Sequence, residues 1–183
     1  MTKLSENLPI EEARERLRQL IMELAVVRGH VVLASGKEAD YYVDLRRITL
    51  HHEASRLVGQ VMLDLLDKNG IEFEAAGGLT MGADPVGTAI MRAAGDQDRA
   101  IDAFVVRKVE GPSVEGRRVV AVEDTSTTGG SALTAVEALR KAGAEVVAVA
   151  VIVDRATGAK EHVEEVAGVP CLYAYSKDEL GLD

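Results

Sequence analysis

Apolar residues recur at helical spacing from Ile10 to Arg28, at Ala13, Leu17, Leu20, Ile21 and Leu24. With Pro9 suited to the first turn and Gly29 to the stop, this pattern predicts an amphipathic helix. Val31 to Leu33 and Tyr41 to Leu45 then read as strands around the polar turn Ala34-Ser35-Gly36-Lys37, a hairpin-like element. A second helix is predicted from Ala54 to Lys68, where Leu57, Val58, Val61, Met62, Leu65 and Leu66 share a face and Asn69-Gly70 ends the run. Beyond it the pattern changes to apolar strand, glycine-rich turn and helix, repeated. Phe73 to Ala76 leads through Gly77-Gly78-Leu79-Thr80-Met81-Gly82 to a helix near Pro85 to Ala94, and Ala103 to Val106 is the next strand. Val119 to Val122 leads through a second turn to a helix from Ala132 to Lys141, stopped by Gly143, and Val146 to Val153 follows. That last run is too continuously apolar for a strand with one wet face. Such strands, separated by helices, imply a parallel sheet covered on both faces, so the expected class is α/β with a central, mainly parallel sheet.

In such sheets ligands sit beyond the carboxyl ends of the strands, where Glu123, Asp124 and Asp154-Arg155 are expected to share one crevice. The stretch from Val119 to Ser131 carries the most chemistry. Its apolar run delivers two acids, Glu123 and Asp124, into the turn Thr125-Ser126-Thr127-Thr128-Gly129-Gly130-Ser131. Carboxylates hold sugar hydroxyls, and backbone N–H groups with hydroxyls at a helix start hold phosphate. A sugar phosphate is the implied ligand. A P-loop would need Lys-Ser or Lys-Thr after its last glycine, and a dinucleotide site would need G-x-G-x-x-G; neither is present. The plainer alternative is that the acids merely end a strand and Thr127 or Thr128 caps a helix.

Composition narrows the classes. At 183 residues, one domain is expected, with about 1–50 forming an N-terminal helix and hood and about 54–175 an α/β core. A hydrophobic share of 47% and a charged share of 28% fit a folded globule rather than a disordered chain. The net charge of -9 argues against a nucleic-acid partner, which needs clustered cations. No apolar run approaches a membrane span, and the N-terminus lacks a signal pattern. The single cysteine, Cys171, excludes an intrachain disulfide and fits a cytoplasmic protein. His30, His51, His52 and His162 show no metal-ligand spacing.

The segment from Val119 to Ser131 resembles the phosphoribosyl-diphosphate signature of type I phosphoribosyltransferases. Within that group the chain is most similar to the orotate enzymes, through the run Ala34 to Asp44, Gly77 to Pro85, Val105-Val106-Arg107-Lys108 and Val151-Ile152-Val153-Asp154-Arg155. The resemblance implies the type I phosphoribosyltransferase fold with a small N-terminal hood. It also implies transfer of a 5-phosphoribosyl group from phosphoribosyl diphosphate to orotate, a pentosyltransferase step of pyrimidine biosynthesis. Glu123 and Asp124 would bind the ribose hydroxyls, Thr125 to Ser131 the 5′-phosphate, Arg107 and Lys108 the diphosphate, and Thr127 with Arg155 the orotate carboxylate. Asp124, with Glu123 helping, takes the central catalytic place. Mg2+ is the implied cofactor, held mainly through substrate oxygens with no protein metal site. A homodimer with a shared active site is the implied assembly. Two rivals remain open: a purine phosphoribosyltransferase, and a regulator that senses phosphoribosyl diphosphate without catalysis.

The sequence departs from the family in two places. Orotate enzymes carry a long mobile loop with a lysine and a histidine after the position of Lys108, whereas this sequence runs directly into Val109-Glu110-Gly111-Pro112 and has neither. Either the loop is deleted or the sequence as written passes over it; intact mass separates the two. Met81 also stands where many relatives place a phosphate-binding lysine.

Overall fold

The computed structural model describes residues 7–32, 36, 38–107 and 110–182. Ala34, Ser35 and Lys37 of the expected turn, Leu33 at its strand end, and Lys108 and Val109 lie outside the described residues.

The first helix, α1 (Ile10–Leu20), is shorter than its periodicity suggests. A π-helical turn spans Ile21–Ala25, after which Val26–Val32 forms strand β1. Gly29 is therefore no helix stop; it sits at φ 138° within β1, where the register slips between Arg28 and Val31. The β-branched pair Val26-Val27 favours extended backbone over another helical turn. Strand β2 (Glu38–Val43) pairs antiparallel with β1, matching Val26 to Val43 and Val27 to Tyr42, and so forms the hood. A short helix α2 (Arg46–Thr49) leads from the hood to α3 (Ala54–Lys68), whose bounds match the sequence expectation.

The remaining strands are β3 (Ala75–Leu79), β4 (Asp102–Val106), β5 (Arg118–Ser126), β6 (Glu145–Asp154) and β7 (Cys171–Ser176). They form one five-stranded, wholly parallel sheet in the order β4-β3-β5-β6-β7. Helices α4 (Asp84–Gly95), α5 (Gly130–Lys141) and α6 (Ala159–Ala167) complete the crossovers. The expected α/β class with a central parallel sheet is thus what the chain forms. Helix α6 and strand β7 have no counterpart in the sequence reading. Three glutamates among the nine residues of α6 dilute its apolar stripe to Ala159, Val163 and Ala167.

Period-two alternation of the continuous apolar strands distributes their side chains to two cores. Val120 and Val122 of β5, with Ile152 of β6, pack against α1, α3 and α4. Val119 and Ala121, with Val146 and Val149, pack against α5 and α6. The hood's neighbour α1 is fixed to the far edge of the sheet by Tyr175, whose hydroxyl donates to the carbonyl of Arg14 at 2.9 Å, and by the Arg14 guanidinium, which donates to the carbonyl of Ala174 at 2.8 Å. A bidentate pair between Arg16 and Glu53, at 2.7 and 3.0 Å, ties α1 to the start of α3.

Candidate active site at the switch point

The strand order places a topological switch between β3 and β5: the chain leaves β3 through α4 to reach β4 on one side, whereas β5 lies on the other. Ligand crevices form at such points. Pairing between β3 and β5 ends at Gly77 and Ala121, so the carboxyl end of β5 is freed from its neighbour there. On its other side β5 remains paired with β6 through Ser126 and Asp154. Close packing explains the glycines of β3. A Cβ on Gly77 would stand 1.9 Å from the carbonyl oxygen of Phe104, and one on Gly78 2.1 Å from that of Val122.

Glu123 and Asp124 lie on this freed end, within β5 rather than in the turn after it; Thr125 and Ser126 are also strand residues. Glu123 is 8% exposed and Asp124 half-buried. The Glu123 carboxylate accepts from the Asp124 N–H at 3.1 Å, and the Asp124 carboxylate from the Thr125 N–H at 2.7 Å. Burial, then the charge of Asp124 and more distantly that of Asp84, push the Glu123 carboxyl up to about 8. Glu123 therefore carries a proton at neutral pH.

This shift has a sign for stability. The folded chain binds a proton that the unfolded chain releases near 4.5, so the Glu123 contribution favours folding fully below pH 4.5 and is lost as pH rises toward 8. Urea midpoints of the wild type should therefore fall, relative to those of Glu123→Gln, between those pH values. Parallel midpoint curves for the two proteins would reject the buried, protonated assignment.

Loops leave the carboxyl ends of β5, β6 and β4. The turn between β5 and α5 exposes Thr127 and Thr128, while Gly129 takes a left-handed φ of 77° just before the helix; Gly130 and Ser131 open α5 and are exposed. The Thr128 hydroxyl accepts from the Gly130 N–H at 3.4 Å. Arg155 follows β6, half-buried, and its N–H donates to the carbonyl of Ser126 at 3.3 Å, so it neighbours the end of β5. The Thr157 hydroxyl donates to the carbonyl of Thr127, joining the β6 and β5 loops. Arg107, exposed, follows β4, and Val105 exchanges two backbone hydrogen bonds with Glu110 at 2.9 and 2.8 Å. Among the described residues no carboxylate lies within ion-pair distance of Arg107 or Arg155. The architecture thus gathers the ends of β5 and β6, while Lys108 lies outside the described residues.

Two nearby residues, Asp84 and Arg46, were not singled out by the sequence reading. Asp84 opens α4, accepts from the Thr80 hydroxyl at 2.5 Å and leaves its second carboxylate oxygen buried without a partner among the described residues. The only sequence signal was an acid before Pro85 at a helix start. Arg46, at the start of α2, pairs with Asp44 at 2.9 Å; its pKa is raised chiefly by that bond, with the charge of Asp124 contributing. Tyr41, partly buried, packs against the core. Met81 is 69% exposed. A cavity of about 420 Å3 lined by Thr49, Arg56, Asp84 and Arg92 includes neither acid of the pair. Among the described residues no three His, Cys, Asp or Glu side chains cluster as a metal cage, and no helix is long and apolar enough to cross a membrane.

A parallel sheet with an acid pair and a hydroxyl-rich helix start at its switch point defines a class, and residues 62–178 match the phosphoribosyl transferase domain model. The chain belongs to that family. The orotate phosphoribosyltransferase of Streptomyces coelicolor is 64% identical, over 94% of this chain and 99% of that protein. The crystal structure of the Mycobacterium tuberculosis orotate phosphoribosyltransferase in complex with 5-phospho-alpha-D-ribosyl 1-diphosphate has a TM-score of 0.84 at 54% identity, covering 93% of this chain and 99% of that one. Adenine phosphoribosyltransferase from Leishmania donovani shares the fold alone, with a TM-score of 0.67 at 17% identity over 89% of this chain and 80% of that one. Within the family, the chain falls with the orotate phosphoribosyltransferases.

Proposed function

We propose that the switch-point crevice transfers the 5-phosphoribosyl group of phosphoribosyl diphosphate to orotate, giving orotidine 5′-monophosphate and diphosphate, with the roles set out below. The observation that carries this reading is the acid pair of buried Glu123 and half-buried Asp124 beside exposed Thr127 and Thr128, in a chain 64% identical to an orotate enzyme.

Asp124 accepts hydrogen bonds from a ribose hydroxyl and Glu123 from its neighbour. The proton on Glu123 limits the repulsion between the two acids until substrate hydroxyls take its place. Thr125 to Ser131 hold the 5′-phosphate: Thr127, Thr128 and Ser131 offer hydroxyls, and Gly129 and Gly130 bring N–H groups at the start of α5. Arg107 and Lys108 bind the diphosphate. Thr127 and Arg155 bind the orotate carboxylate, the guanidinium presenting two parallel N–H donors to its two oxygens. The bond from the ribose C1′ to the diphosphate oxygen breaks, and one from C1′ to the orotate ring nitrogen forms. The nitrogen loses its proton before binding, so no protein base is required. What the residues contribute is alignment of sugar and base, with water excluded from a cation-like ribose.

The two adjacent carboxylates at the crevice suit a hard divalent cation shared with substrate oxygens and water. Glu123 and Asp124 would touch Mg2+ through the ribose hydroxyls or bound water, and the chemistry it supplies when bound is neutralisation of charge on the departing diphosphate. The expected assembly is a homodimer with a shared active site. A reducing cytoplasm suits Cys171, whose buried thiol is pushed up to about 11 and so stays protonated.

The test is an assay of the full chain with Mg2+, phosphoribosyl diphosphate and either orotate, adenine or hypoxanthine. Orotidine monophosphate should form and no purine nucleotide. Purine product without orotidine monophosphate would replace the reading with the purine rival, and tight binding of phosphoribosyl diphosphate with no product would replace it with the sensing rival.

A further inference from the structure

We propose that Gly82 is a positioning residue for the transfer: by lacking a side chain it lets the β3–α4 loop close onto the acid pair and sets where both carboxylates stand. The inference rests on the reading that Glu123 and Asp124 hold the ribose.

Gly82 is not among the residues with left-handed φ, so its backbone conformation does not demand glycine. Space does. A Cβ there would stand 2.8 Å from Glu123 Oε1, 3.0 Å from Asp124 Oδ1 and 3.2 Å from Asp124 Cγ. No other glycine of the described residues meets the functional carboxylates in this way. Something must yield to an added methyl group, and the loop is restrained from yielding. The Thr80 N–H donates to the carbonyl of Val106 at 3.2 Å, the Thr80 hydroxyl donates to Asp84 at 2.5 Å, and Asp84-Pro85 begins α4. The carboxylates are the movable side. Glu123 Oε1 is the end of a long side chain, and its turning away gives up the 3.1 Å bond from the Asp124 N–H. The cost to folding is small and the cost to ribose geometry large, since misplacement of a positioning group by about 1 Å costs on the order of a hundredfold in rate. The Asp84 oxygen without a partner among the described residues and the burial of Glu123 fit a loop kept tight against the acids.

Gly82→Ala should keep the wild-type unfolding midpoint while raising KM for phosphoribosyl diphosphate about tenfold or more; KM for orotate should move little. Glu123→Asp shortens the carboxylate that meets the methyl group. In that background the Gly82→Ala penalty should therefore shrink several-fold, a coupling that a general loosening of the loop would not produce. Equal penalties in both backgrounds, unchanged kinetics, or loss of folding in Gly82→Ala would each overturn the proposal, the last because it would put the conflict on the backbone. Asp124→Asn is the reference arm. If it leaves phosphoribosyl-diphosphate kinetics unchanged, the ribose role of the acids fails; if it impairs them while Gly82→Ala does not, only the role of Gly82 fails.

Discussion

Asp124→Asn is expected to lower kcat/KM for phosphoribosyl diphosphate by roughly a hundredfold, equal to about 2.7 kcal/mol, the scale of a lost hydrogen bond to a charged group. The amide keeps the shape of the side chain and one acceptor oxygen, but loses the charge and turns two N–H donors toward hydroxyls that also donate. Two effects follow from the geometry. The first is weaker and less exact holding of the ribose, read as a rise in KM together with a fall in kcat. The second is electrostatic: the Asp124 charge helps hold the Glu123 carboxyl up near 8, so Glu123 should titrate lower in the variant. The pH dependence of substrate binding should shift downward accordingly, which a general disturbance of the fold would not cause. Steady-state kinetics across pH, with unfolding midpoints as the control, check both effects. Unchanged kinetics would remove Asp124 from the ribose site.

Arg155→Ala should raise KM for orotate by roughly a hundredfold, while KM for phosphoribosyl diphosphate stays near its wild-type value. Removing one partner of a hydrogen-bonded charge pair costs about 2–5 kcal/mol. Arg155 is half-buried at the end of β6, its backbone is bonded to Ser126, and among the described residues its guanidinium has no carboxylate partner. Little stability should therefore be lost with it. Arg155→Lys should recover only part of the loss, because a point charge does not reproduce the paired donors of a planar fork. An orotate analogue lacking the carboxylate gives the complementary control: the wild type should discriminate strongly against it and Arg155→Ala hardly at all. Orotate kinetics unaffected by the substitution would assign the base-binding role elsewhere.

Much of the fold was legible because the strands that build its centre are apolar on both faces. The runs Val119 to Val122 and Val146 to Val153 could only be buried, and helices between them dictate parallel pairing. The α3 boundaries were also plain, since a clean 3.6-residue stripe ends at Asn69-Gly70. Where the reading slipped, local pattern and tertiary pairing disagreed. Val26 to Arg28 continue the helical stripe but are drawn into β1 by Val43 and Tyr42 of the opposite strand. Glu123 to Ser126 look like a polar turn, yet β6 extends β5 through them by pairing as far as Asp154.

The chemistry divides in the same way. Residue types alone determined that an acid pair followed by hydroxyls and glycines suits a sugar phosphate, because those groups carry their hydrogen-bonding capacity wherever they sit. Only the tertiary structure decided which distant residues share that site and how closely. Strand order puts the switch between β3 and β5, burial makes Glu123 hold a proton, and packing brings Gly82, forty-one residues earlier than Glu123, within a methyl group's reach of both acids. Periodicity and composition record what each segment prefers. Clearance and desolvation depend on what the rest of the chain places beside it.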